Sequence, residues 1–183
     1  MKYAPEIDVL LGGIRNVAGA DNATDALREL LQQSVLKPNA IADAIAEIID
    51  DELILFEDSS CSVWSCRYSS DAVFAAHEHC MTAHIAVFRG SEVEVMYRRE
   101  PGVMCHAGNT LVGAGEVLTH TPDVIHAVTA DGTEHSHAIH VYEGPLTQVS
   151  RSLYDWNTGA AVEFTMEYFH VMKRVKSQML EFQ

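Results

Sequence analysis

Basic residues are scarce in this chain: 12 Lys and Arg stand against 26 Asp and Glu, a formal net charge of −14 over 183 residues. No run of Lys and Arg escapes that average, which excludes a partner whose affinity depends on neutralising phosphates, nucleic acid above all. Long apolar runs are also lacking. Nowhere do about 18 apolar residues follow one another, and the opening MKYAPEIDVLLGGIRN has no basic stretch leading into an apolar one. A membrane span and a secretory leader are therefore not expected, and the chain reads as soluble and cytoplasmic. Only four cysteines occur, Cys61, Cys66, Cys80 and Cys105, with no C-x-x-C pair among them. Free thiols are expected rather than a disulfide framework. A zinc set of Cys80, Cys105 and His106 has the spacing of no zinc module. The absence of G-x-S-x-G, P-loop and dinucleotide fingerprints leaves serine-hydrolase, nucleotide-hydrolysing and Rossmann redox readings without support.

What is present is enough apolar sequence, 48% of residues, for one domain with a sizeable core. Residues 1–52 read as a helical segment carrying two helix signatures. NATDALRELLQQSV is opened by the capping types Asn22 and Thr24, and PNAIADAIAEIIDDEL by Pro38. From 53 to 146 the pattern changes to short β-type runs such as CSVWSCRY, HIAVFRG, EVEVMYRRE and HAIHVYEG, punctuated by Gly90, Gly102, Gly113, Gly115 and Pro122. So many short strands without intervening helices predict a sandwich or barrel. Residues 147–183 form an extension in which EFTMEYFHVMKRVKSQML reads as a closing helix or an oligomer contact.

Three features carry chemistry. In AAHEHCMTAHIAVFRG, His77 and His79 are separated by one residue. On a strand they share a face, about 7 Å apart at the backbone, while Glu78 points the other way. That spacing suits two ligands on one metal, although a lone H-x-H also occurs as an ordinary polar pair on exposed strands. GEVLTHTPDVIHAVTADG brings His126 to the start of a later strand, where a third imidazole would complete a facial set. HAIHVYEGPL sets Ala138, His140 and Tyr142 on one strand face and Ile139 with Val141 on the other, so His140 and Tyr142 can form a polar relay. Met81 and Trp64 are candidates to line the pocket. His106, His120, His135 and His137 fall in or beside turns and are expected to face water.

Together, HEH, the glycine of FRG, GEVLTHTPDVIHAV and AIHVYEGPL, in this order, resemble the two metal motifs and following strand of cupins similar to cysteine dioxygenase. The resemblance spans roughly residues 53–146. It implies a mainly β fold, a cupin double-stranded β-helix (jelly-roll) barrel with N-terminal helices and a C-terminal helix, and His77, His79 and His126 as iron ligands. It also matches His140 and Tyr142 to the outer relay of the thiol dioxygenases, with Ala138 where those enzymes have Ser. Many cupins place a Glu ligand a few residues after H-x-H. Here that stretch offers His84, a candidate fourth ligand, and no carboxylate. No thioether with Tyr142 is expected, because Cys80 sits too early. The region before H-x-H that supplies a substrate-binding arginine in cysteine dioxygenases, LILFEDSS, contains none, so Arg67 or Arg98 is the candidate to replace it.

Three neutral imidazoles leave a divalent metal its full charge and several open positions, which suits an anionic substrate together with oxygen. The activity that the resemblance implies is an iron(II)-dependent dioxygenase acting with O2 on a small thiol or another bidentate small-molecule anion. Zn, Ni or Mn serving a cupin lyase, isomerase or hydrolase is the alternative, and a non-catalytic small-molecule-binding cupin a third. Pairing of cupins through barrel edges and terminal helices implies a homodimer.

Overall fold

The computed structural model describes residues 3–36, 40–100, 103–132 and 134–176. Among the described residues, twelve strands form two antiparallel sheets. The first has the order β1 (Glu52–Glu57), β2 (Ser62–Tyr68), β9 (Ser136–Tyr142), β4 (Ala83–Arg89) and β7 (Val117–His120). The second runs β11 (Ala161–Glu163), β10 (Ser152–Tyr154), β3 (Ala72–Glu78), β8 (Ile125–Ala130), β5 (Ser91–Glu100) and β6 (Val103–Gly113), with β12 (Arg174–Val175) also paired to β3. Strands distant in sequence become neighbours, as in a jelly roll: β2 and β4 flank β9, and β3 and β5 flank β8.

The space between the sheets is filled by Trp64, Cys66, Tyr68, Phe74, Val128, Tyr142 and Leu153. The outer face of the first sheet is closed by helices. Period-2 alternation on β9 sends Ile139 and Val141 outward, where they join Ile7, Ile14, Leu27 and Leu31 of the helical layer. The other face of the same strand carries His140 and Tyr142 inward, so the two faces expected of HAIHVY are the two faces found.

Three helices precede the barrel: α1 (Pro5–Val17), α2 (Ala23–Val35) and α3 (Ala40–Ala46). The first was not expected, because Gly12 and Gly13 weaken the helical signal. Its start carries Pro at the first turn and Glu6 and Asp8, which suit the positive end of the helix dipole. A β-carbon at Gly13 would stand 3.3 Å from a Leu30 methyl, so the missing side chain lets α1 lie close against α2. The helix expected after Pro38 is shorter than its signature, ending at Ala46, and Pro38 itself lies outside the described residues. No described helix is long and apolar enough to cross a membrane.

The expected closing helix is also reduced. Glu163 belongs to β11, α4 covers only Met166–Val171, and Arg174–Val175 pairs with Val73 and Ala72 of β3. Thr165 starts α4 by accepting the Tyr168 backbone N–H at 3.1 Å. The rest of the expected helix, 177–183, lies outside the described residues.

Candidate metal centre

His77 and His126 stand opposite each other in the β3–β8 ladder, which brings the two halves of the sequence signal to one point. The register slips between Phe74 and His77. Phe74 and Ala75 both join the interior cluster there while Ala76 faces outward, and the slip leaves the Ala75 carbonyl to His77 Nδ1 at 2.9 Å. His79 lies just past the end of β3, and Cys80 turns the chain through a φ of 57°, a left-handed conformation uncommon outside glycine.

The three rings converge through the same nitrogen. His77 Nε2 lies 3.1 Å from His79 Nε2, which lies 3.4 Å from His126 Nε2. Two nitrogens about 2.1 Å from one ion and subtending 90–109° are separated by about 3.0–3.4 Å. The donor set therefore has the spacing that a single metal requires, and all three side chains are buried. Burial, and then the neighbouring His126, lowers the pKa of His77 and His79 well below the usual histidine value, so both rings are neutral at neutral pH, the form in which an imidazole can bind a metal.

What fixes His126 was not read from the sequence. On β5, Glu92 and Glu94 point inward and are fully buried, while Val95 turns to an outer cluster with Tyr97 and Met104. Glu94 Oε2 accepts from His126 Nδ1, leaving Nε2 to face the other two rings. Burial alone would raise the Glu94 pKa, but the facing His126 and His120 hold it well below the usual carboxylate range. His120, expected at the surface, is instead buried, its Nε2 3.6 Å from the same carboxylate oxygen. Strand β7 runs into the barrel there rather than ending in a solvated turn.

His140 and Tyr142 meet at 3.3 Å, Nδ1 to Oη. The relay that lacked a serine has other members. Cys66, directly across the ladder from Ala138, hydrogen-bonds His140, and Glu92 Oε2 lies 3.3 Å from its Nε2. Burial works against an imidazolium here, but Cys66 and Tyr142 beside it and the hydrogen bonds to Cys66 and Glu92 outweigh it and hold the His140 pKa well above its usual value. Burial keeps the Tyr142 phenol protonated. With both imidazolium N–H groups donating, to Glu92 and to Tyr142, the phenol O–H is left free to donate in the pocket that Tyr142 lines.

A narrow pocket with a cavity volume of about 20 Å³ opens over His77 and His79, walled by Trp64, Tyr68, Phe164 and Phe169. Neither expected arginine borders it. Arg67 donates to the Ile49 carbonyl at 2.6 Å and meets His135, and Arg98 is exposed and pairs with Glu100. His84 is also elsewhere, fully buried between Thr119 and Glu143 and outside the histidine group. The cation that does line the pocket is Arg151, its guanidinium carbon 3.2 Å from the Phe164 ring centre. Burial lowers its pKa to about 10, so it stays charged. Glu78 sets it in place. Pointing away from the ligand face, its carboxylate accepts from the Ser152 N–H and the Tyr154 hydroxyl, and its carbonyl from Arg151. The signal was a short β-type run, SLY, directly after an isolated arginine in the segment read as an extension. Trp64, an expected lining residue, is in the wall; Met81 is not among the lining residues.

No protein-family model and no curated protein matches this chain. Among solved structures, a Bacillus halodurans protein is similar at 14% identity with a TM-score of 0.51, covering 68% of this chain and 86% of that one. A Klebsiella pneumoniae protein with a double-stranded β-helix domain shares 15% identity over 60% of this chain and 87% of its own, TM-score 0.49. An RmlC-like cupin from Methanocaldococcus jannaschii shares 8% identity over 53% and 82%, TM-score 0.44. The strand order of the two sheets is that of a double-stranded β-helix. These likenesses concern the fold, and the resemblance to cysteine dioxygenases rests on the sequence motifs.

Replacing Glu94 by Gln keeps the shape of the side chain and removes the charge that orients His126. Metal affinity measured by competition with a chelator should fall about 10- to 100-fold; unchanged affinity would exclude this carboxylate from the centre. A second expectation concerns Glu52, whose carboxyl is raised by burial, and then by Asp51, from its ordinary 4.5 to about 7. A raised acid contributes stability fully below pH 4.5 and loses it as pH climbs through 7, here by at most about 3 kcal/mol. Glu52→Gln should thus melt higher than the wild type at pH 8.5, with the difference vanishing near pH 4.5.

Proposed function

We propose that this cupin is a non-haem iron(II) dioxygenase that oxidises a small thiol, or another bidentate small-molecule anion, with O2. The observation that supports the reading is a set of three buried imidazoles with no carboxylate among them, two of which line a pocket that also presents a guanidinium. Iron(II) held by His77, His79 and His126 would supply the redox chemistry with oxygen and open positions for substrate donors. The rest falls to the chain's own side chains. Arg151 receives the substrate's acidic group in a pocket where the aromatic walls exclude water and strengthen the ion pair. The Tyr142 hydroxyl, oriented by His140, donates a hydrogen bond to the developing charge, and Glu92 and Cys66 keep His140 in place to do so. For a thiol, both oxygen atoms enter the product, RSH and O2 giving the sulfinic acid RSO2H.

The test is oxygen uptake by anaerobically iron-loaded protein with cysteine, 3-mercaptopropionate and cysteamine, with iron-free protein as control. Iron-dependent uptake with at least one of them is expected. Arg151→Gln should raise KM for a carboxylate-bearing substrate about 10- to 100-fold, since a charged hydrogen bond is lost, and should leave cysteamine unaffected. Iron-retaining protein that consumes no oxygen with any thiol would contradict the thiol reading and favour a Lewis-acid cupin lyase, isomerase or hydrolase.

A further inference from the structure

The same pocket contains an acid that the proposed chemistry leaves unused. Glu52 opens β1 with its side chain only 4% exposed, and it lines the pocket together with His77, His79 and Arg151. Neither carboxylate oxygen has a hydrogen-bond partner. His170 Nε2 lies 3.2 Å from Oε2 but without hydrogen-bond alignment, and His140 and Lys173 act on the acid only through space. Trp64 Nε1, in the same wall, is unpartnered too. A buried carboxylate left without donors is costly to fold around, and native proteins rarely keep one that nothing satisfies.

What would satisfy Glu52 is a positively charged donor arriving in the pocket. Building on the reading of this pocket as a substrate site, we infer that Glu52 selects a substrate carrying a protonated amine, held by the carboxylate rather than by the metal. Arg151 and Glu52 then define two poles, and a ligand with an acidic and a basic group satisfies both. Trp64, Tyr68 and Phe169 in the same lining make the wall aromatic, a surface that tolerates a cation. Burial of the acid, with its pKa near 7, means that the amine also restores its ionised form on binding.

The experiment is anaerobic calorimetry on iron-loaded wild type and Glu52→Gln with two matched pairs, homocysteine against 4-mercaptobutyrate and cysteamine against 2-mercaptoethanol. Wild type should bind the amine-bearing member of each pair about tenfold more tightly. In Glu52→Gln that ratio should fall to about one while the amine-free members bind as before. A ratio of one in the wild type overturns the inference without recourse to the variant. A preference that survives in Glu52→Gln overturns it as well, since the amine is then received by the metal or another group. Iron content measured on both proteins separates the two readings: iron retained with no thiol bound contradicts the thiol site and this inference together, whereas equal binding within each pair contradicts this inference alone.

Discussion

An imidazole can bind a metal through either nitrogen, and the hydrogen bond between Glu94 and His126 decides which one faces the barrel interior. The rest of the centre depends on that choice. With Nδ1 engaged, Nε2 joins those of His77 and His79, and the Ala75 carbonyl makes the same choice for His77. The cost of the arrangement is visible on β5, which buries Glu92 and Glu94 on the interior face. Two buried carboxylates are tolerated there because each meets a histidine, Glu94 at His126 and Glu92 at His140, and Glu92 also accepts from Ser136.

One residue links the histidine cluster to the arginine that lines the pocket. Glu78 lies between two histidines of the centre and points the opposite way, where it binds β10 at Ser152 and Tyr154. Because Arg151 immediately precedes β10, anchoring that strand to β3 brings a guanidinium to the pocket mouth. The segment after the barrel motifs is therefore part of the site: Arg151, Phe164 and Phe169 all come from it.

The barrel and the histidine centre were legible because strand periodicity is a strong local signal. It put His77 and His79 on one face and separated His140 and Tyr142 from Ile139 and Val141. The same period was silent about β5, where E-V-E-V has two faces and nothing local says which is inside. It was silent about His120, whose burial depends on strands far away in sequence. Arg151 was missed because the motifs end at 146 and the residues that complete the pocket arrive by a return of the chain to β3. Glu52 was missed for a simpler reason, standing at the first position of a strand, where a charge is normally solvated. Helix α1 was hidden by Gly12 and Gly13; at Gly13 the missing side chain serves close packing against Leu30 rather than a turn.

The central claim, that these three histidines form one metal centre, is tested most directly by iron content. Wild type, His126→Ala and His106→Ala would be stripped with chelator, reloaded with iron(II) without oxygen, and assayed for metal per chain, the exposed His106 serving as control. The account predicts about one iron in wild type and control and a near-complete loss in His126→Ala, since two imidazoles leave the facial set open. Unchanged iron in His126→Ala would contradict it.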